Sequence, residues 1–302
     1  MQIRHLRYYE IDAQKWDNCI AEANNGLIYA YSWYLNALCE QWDALVMDDY
    51  KAVMPLPFRK KWGVHYLYQP YFCASLGVFF GNSISPDILE CFLKSIPKQF
   101  TYWDICLNYD NNHPLKAFKT ILRNNYTLPL HQPYETISQQ YRTNLKRNLE
   151  RAHKNGLSFS NNIDEVEVIK LAKPTMDRFA HIQQKDWDGF LNVVEQAKKR
   201  NCCEIVGVHF KQQLVASAIF FSSHQRWYYI LAGNHPNGKT LGASHLLLDR
   251  FIAKHAGTDT LLDFEGSDAE SLAFFYSSFG AETEIYPALK MNKLPAPLRW
   301  FK

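Results

Sequence analysis

Apolar and polar positions alternate along the chain with two periods, and the order of those periods repeats. Near Ala13–Ala23 and again near Ser32–Gln41, apolar residues recur every three or four positions, which gives one buried helical face. Three short strand-like runs follow, at Ala44–Met47, Lys51–Phe58 and Val64–Tyr68. Ser85-Pro86 places an N-cap before a proline at the first helical position and starts a helix to about Ser95. Tyr102–Leu107 reads as a further strand.

The second half runs through the same order. Helical spacing covers Asp164–Ala172 and Phe190–Arg200, and strands are predicted at Cys203–Phe210, Leu214–Phe221 and Arg226–Ala232. Polar turns at Lys211–Gln213 and Ser222–Gln225 join these strands. A helix at about Gly242–His255 aligns Leu247, Leu248, Phe251, Ile252 and His255 in one stripe. A strand at Thr260–Glu265, a helix from Ser267 to about Ser278 and a strand near Glu284–Met291 complete the half.

Two copies of helix, helix, three-strand meander, helix and strand predict an α/β protein with mixed sheets, in two domains of similar topology. The expected division is 1–135 and 136–302, with Pro129 and Pro133 just before it. The second domain opens on Thr136–Gly156, read as one amphipathic helix. Leu145, Leu149 and Ala152 form its apolar face, Arg142, Lys146, Arg147, Arg151 and Lys154 its basic one, and Gly156 its end.

Composition narrows the function classes. The 302 residues carry 33 Lys+Arg against 30 Asp+Glu, a formal net charge of +3, which is too balanced for a nucleic-acid coat. The basic excess is concentrated on the Arg142–Lys154 helix. Seven cysteines without a CxxC pair and eleven histidines without an HExxH cluster give no support for metal chemistry, and point to reduced thiols, mostly buried. The opening residues lack the apolar core of a secretory signal. The longest apolar run, Val215–Phe221, falls far short of the roughly 18–20 residues a membrane span needs. The expectation is a cytoplasmic protein without a membrane span.

Three stretches could carry chemistry. The loop Asn234–Ser244 leads from a strand into a helix, with Lys239 as a cation and Gly242 and Ala243 small enough for close approach; such a helix start can bind phosphate. The plain alternative is a connecting loop turning at Asn237-Gly238. In Leu261–Ser267, Asp263 and Glu265 share one face of a strand, where one carboxylate can raise the other's pKa and make it a general base. Ser267 and Glu270 have capping-box spacing, so they are read as the start of the next helix rather than as a nucleophile. The basic helix could grip a phosphate-bearing substrate or RNA, or could simply be a solvated face.

Several motifs in order resemble one family. They are Tyr-Arg-Thr-Asn-Leu-Lys-Arg-Asn-Leu-Glu-Arg-Ala (141–152), Leu-Gly-Ala-Ser-His-Leu-Leu (241–247), Leu-Asp-Phe-Glu-Gly-Ser (262–267) and Phe-Tyr-Ser-Ser-Phe-Gly-Ala (275–281). The set resembles the second half of FemABX-like proteins, members of the GNAT superfamily of N-acyltransferases that often carry two GNAT modules in tandem. The first half is similar mainly in element order, with Gln69–Gly77, including Tyr71, as a family-like loop facing the expected cleft between the domains.

The resemblance implies N-acyl transfer from a thioester donor of the acyl-CoA type to a primary amine of an amino sugar, an amino acid or an envelope precursor. No cofactor is held permanently. The donor's pyrophosphate would sit at Lys239, Gly242, Ala243 and Ser244, and backbone N–H groups of Tyr229, Ile230 and Leu231 would meet the oxyanion. Asp263 or Glu265 would accept the amine proton, Tyr276 would protonate the leaving group, and Arg142 and Arg147 would hold an anionic part of the acceptor. Ser244 stands where the family has a last glycine or alanine, which weakens the case for tight coenzyme A binding. The alternatives are an aminoacyl-tRNA donor and a non-catalytic binding module. Phe275-Tyr276 in place of the family's Phe-Lys, and the lack of a long charged hairpin between Lys173 and Phe190, argue against the tRNA donor.

Overall fold

In the computed structural model, residues 1–81, 85–161, 163–266 and 268–294 are described. Packing divides the chain into two compact units. Met1–Arg123 with the segment beginning at Ile285 form the first, and Asn124–Glu284 the second.

The first unit contains β1 (Ile3–Leu6), α1 (Ala13–Glu22), α2 (Ser32–Leu38), β2 (Trp42–Met47), β3 (Ala52–Lys61), β4 (Val64–Tyr68), β5 (Phe79–Phe80), α3 (Pro86–Ser95) and β6 (Phe100–Cys106). Asp12 starts α1 by accepting from the Gln14 and Lys15 amides, and Trp16 and Ile20, one turn apart, bury its inner face. Ser85 caps α3 on Ile88 N–H ahead of Pro86, as its sequence predicts. Strands β1 to β4 pair antiparallel in order, β6 joins β4 in parallel and β5 pairs with β3. Met54, Leu56, Leu67, Phe92, Phe100 and Leu107 fill the core.

The second unit contains most of β7 (Thr120–Pro129), then α4 (Tyr134–Gln139), α5 (Thr143–Lys154), β8 (Ser158–Ser160), α6 (Glu165–Phe179), α7 (Gln184–Lys199), β9 (Cys203–Phe210), β10 (Gln213–Ser223) and β11 (Arg226–Asn234). The short α8 (Pro236–Leu241), α9 (Ala243–His255), β12 (Leu261–Asp263) and α10 (Glu270–Ser277) follow, and β13 (Glu282–Asn292) leads back to the first unit. Strands β8 to β11 pair antiparallel in order, and β12 joins β11 in parallel. The sheet of each unit therefore has the same design, with four antiparallel strands and then a parallel one reached through a crossover helix.

The sixth strand of each unit comes from the other half of the sequence. β7 follows β6 in the chain but pairs with β12, while β13 follows β12 but pairs with β6. Contacts accordingly divide the chain at 123/124 and 284/285, where the sequence reading divides it once, at 135/136. β7 gives little sequence signal, because Ile121 and Leu122 are exposed and the strand is buried only at Asn125, Thr127 and Leu128.

Several local expectations are corrected. The predicted single helix over 136–156 is two helices, α4 and α5, separated at Gln140–Arg142. Buried Tyr141 packs edge-on against Phe279 there, and extended Arg142 donates its N–H to Ser278 O. Gly156 does end α5: at φ +67 its N–H reaches His153 O while Leu157 N–H reaches Ala152 O, a Schellman closure. The tight turns at Lys211-Gln212 and His224-Gln225 hold non-glycine residues at positive φ. All seven cysteines are free, but only Cys39 and Cys73 are buried; the other five are half-buried.

Candidate active site

The chemistry-bearing motifs of the second unit gather where β11 and β12 part. The parallel pairing runs only from Arg226 opposite Leu261 to Tyr228 opposite Asp263, while β11 continues to Asn234. After Asp263 the chain leans the other way, and Phe264 N–H donates to Tyr126 O on β7. On its opposite edge β11 carries a bulge: Leu231 faces Ile219 and Tyr229 faces Phe220, so Ile230 is the extra residue. Tyr229, Ile230 and Leu231 thus lie on a backbone segment with no β12 partner and a local irregularity.

Asp263 and Glu265 do not share a strand face. The strand ends at Asp263, and Glu265 takes a left-handed φ of +67 with its N–H donating to Asp263 Oδ1 at 2.8 Å. Asp263 is buried, and Arg226 Nη1 donates to its Oδ2 at 2.5 Å. The same guanidinium reaches Glu284 at 3.0 and 2.8 Å, and Asn125 Nδ2 donates to Glu284 at 3.0 Å. Burial raises the Asp263 pKa above its ordinary value, and the Arg226 charge opposes that rise. Burial also lowers the Arg226 pKa, but Asp263 and Glu284 more than offset this and hold the guanidinium charged. One cation between two carboxylates is a structural clamp. Of the pair read from the sequence, the half-buried Glu265 is the carboxylate outside that clamp.

Aromatic rings fill the opening. Phe264 stacks on Tyr276 at 4.8 Å between ring centres, stands edge-on to Tyr229 at 6.4 Å, and has Phe279 at 6.2 Å. Burial raises the Tyr276 pKa, and the Glu265 and Asp263 charges raise it further, so its hydroxyl stays protonated. Sequence reasoning gave no role to His245, which lies in the first turn of α9 with Phe275 at 4.9 Å and Phe279 at 6.3 Å. Burial, helped by the Arg151 charge, pushes its pKa down to about 4 and leaves it neutral. Its place inside the family-like run at 241–247 was the available signal.

The expected phosphate loop is a helical corner. Residues 236–241 form α8, and Gly242 turns the chain into α9 at φ +77. A Cβ at Gly242 would lie 2.4 Å from Asn148 O of α5, so the glycine admits protein backbone rather than a ligand. Arg151 of the same helix donates to Thr240 O at 3.1 Å. Gly242 and Ala243 are buried, Ser244 pairs with Asn234, and Lys239 is exposed.

The remaining predicted residues are spread out. Arg142 and Arg147 are exposed near the start of α5, with the Arg142 guanidinium 5.5 Å from the Phe274 ring. Tyr71 belongs to the first unit, half-buried in the loop after β4. That loop is pinned by Gln69, whose amide donates to Cys73 O at 2.8 Å and accepts from Cys106 N–H at 3.0 Å. Ser267, the predicted cap, lies outside the described residues; α10 begins at Glu270 with Ala269 as N-cap and no side-chain cap.

Comparison with known proteins defines the class. Residues 139–270 match the family model for an acetyltransferase (GNAT) domain. Among solved structures, FemX aligns over 99% of this chain and 98% of its own, with 13% identity and a TM-score of 0.66. A conserved protein of unknown function from Bacteroides thetaiotaomicron VPI-5482 aligns over 93% of this chain and 98% of its own, with 12% identity and a TM-score of 0.57. L-PGS from Bacillus licheniformis aligns over 85% and 86%, with 14% identity and a TM-score of 0.50. No curated protein matches by sequence. The likenesses to solved structures are likenesses of fold: residues 139–270 match a GNAT acetyltransferase domain, and the chain as a whole has a FemX-like fold. The domain match supports an acyltransferase of the GNAT type. No helix among the described residues is long and apolar enough to cross a membrane.

Proposed function

We propose that the protein transfers an acyl group to a primary amine, and that it draws the group from an aminoacyl ester carried by tRNA in the cytoplasm. The observation that supports the choice of donor is the seating of Asn148 O of α5 against Gly242, so that protein backbone takes the space beside the turn into α9. The exposed cations Arg142, just before α5, and Lys146, Arg147 and Lys154 on it supply sites for a phosphate backbone. The acceptor amine belongs to an amino sugar, an amino acid or an envelope precursor.

In this reading the amine attacks the ester carbonyl, forming the C–N bond and a tetrahedral oxyanion. Backbone N–H groups around Ile230 stabilise that charge. Glu265 takes the amine proton, directly or through water. The C–O bond then breaks, and the Tyr276 hydroxyl protonates the leaving oxygen before being reprotonated from the Glu265 side. Asp263 and Arg226 hold the Glu265 turn in place.

A second reading, a thioester donor, is favoured by the domain match, because GNAT domains generally use acyl-CoA. Calorimetric titration separates the two. The tRNA reading predicts binding of aminoacylated tRNA that weakens steeply with salt, and no heat from acetyl-CoA. Acetyl-CoA binding with absent or salt-independent tRNA binding overturns it. No product from either donor with a panel of amines favours a non-catalytic module on the same fold.

A further inference from the structure

The first unit holds a cavity of about 560 Å³ whose lining lies wholly within that unit. Its size falls inside the roughly 300–1,000 Å³ range of small-molecule sites. One wall is the short 3-10 turn Tyr8–Glu10. There Tyr8 is 52% exposed and Tyr9 73% exposed, large rings left facing water at the mouth of the cavity.

The wall is fixed from behind. Asp43 is buried; its Oδ1 accepts from Tyr8 N–H at 3.3 Å and its Oδ2 pairs with His5 Nε2 at 2.9 Å. The Tyr8 ring stands edge-on to buried Trp42 at 5.9 Å, and Trp42 stacks obliquely on Trp16 at 5.0 Å. Arg7 donates to the Tyr9 hydroxyl at 3.2 Å, and Glu10 Oε2 accepts from Arg7 N–H at 2.8 Å. An aromatic face already held by such contacts costs less entropy to use in binding.

The polar lining selects the ligand. Three amides, Asn36, Gln41 and Gln99, face the cavity. Asn36 Oδ1 accepts from Trp42 Nε1 at 2.9 Å, so this amide presents its NH₂ as a donor. Amides both donate and accept, which suits hydroxyl groups that do the same. A phosphate would need an excess of cations, yet the lining sets Glu40 and Asp43 beside Arg7 and His65. A wholly apolar ligand would leave the amides without partners.

We propose that this cavity is a carbohydrate-binding site, in which the apolar face of a pyranose ring lies against Tyr8 and Tyr9 while its hydroxyls bond the amides and Arg7. The site is separate from the acyl-transfer residues and does not depend on the reading given to them.

The test uses the full chain, with cellobiose and chitobiose as sugar probes and spermidine as a cationic control, followed by saturation-transfer NMR and calorimetry. The expected result is saturable binding of at least one disaccharide, weakened about tenfold or more by Tyr9→Ala and by Gln99→Ala. Both residues are exposed, so both variants keep the wild-type melting temperature. Binding of spermidine alone, binding of neither sugar, or sugar binding that both variants leave unchanged overturns the proposal.

Discussion

Replacing Arg226 with alanine tests the clamp that organises the β11–β12 opening. The guanidinium is 9% exposed and makes three charge-assisted hydrogen bonds, at 2.5 Å to Asp263 and at 3.0 and 2.8 Å to Glu284. Its loss leaves Asp263 buried with only the Glu265 N–H, and Glu284 with Asn125. Removing one partner of a buried ion pair costs roughly 3–5 kcal/mol, and we expect a loss in that range near neutral pH. Asp263 also sets a sign. Its folded pKa lies above the ordinary value, so the native state holds that proton more tightly than the unfolded chain, and stability falls as pH rises through the interval between the two. Without Arg226 the folded pKa rises further and the interval widens. The variant's deficit is therefore greatest near pH 7 and shrinks as acid protonates Asp263. Urea unfolding of both proteins, at about pH 7 and about pH 5, measures this. A loss below about 1 kcal/mol, or an equal loss at both pH values, refutes the clamp.

Three further outcomes follow from the same geometry. Gly242→Ala combines strain at φ +77 with a Cβ 2.4 Å from Asn148 O, so it lowers Tm more than Gly156→Ala, where φ is +67 but the space is open; equal losses contradict the packing role. Glu265→Gln reduces kcat by roughly 10²–10⁴-fold with KM little changed, whereas Asp263→Asn acts mainly on stability. Arg142→Ala and Arg147→Ala each flatten the salt dependence of tRNA binding by about one phosphate contact, seen in titrations across a salt series.

Much of the architecture was legible because periodicity reports burial. Trp16 and Ile20, the Ser85-Pro86 start and the alternating runs of the two meanders all gave elements that fold as read. The strand exchange was not legible. β7 shows no alternation, since four of its first five residues are exposed, and no local pattern states which sheet a strand will join. The break before α5 was hidden because Tyr141 and Arg142 fit a helical stripe, and only packing against Phe279 and Ser278 pulls them out.

At the candidate site the sequence does not show how the residues pair. Period two placed Asp263 and Glu265 together, but the left-handed turn at Glu265 separates them and Arg226, far away in sequence, takes Asp263 into an ion pair. Gly242 was read as room for a ligand, since a glycine before a helix signals close approach without naming what approaches. The answer, Asn148, depends on how α5 packs.

The most direct test of the central claim follows product. Purified protein is incubated with aminoacylated tRNA or with acetyl-CoA, each with a panel of amino sugars, amino acids and envelope precursors, and amides are detected by mass spectrometry in wild type and Glu265→Gln. The account predicts an amide from the tRNA ester alone, greatly reduced in the variant. An amide formed from acetyl-CoA while the tRNA ester stays intact, or one that Glu265→Gln makes at the wild-type rate, contradicts it.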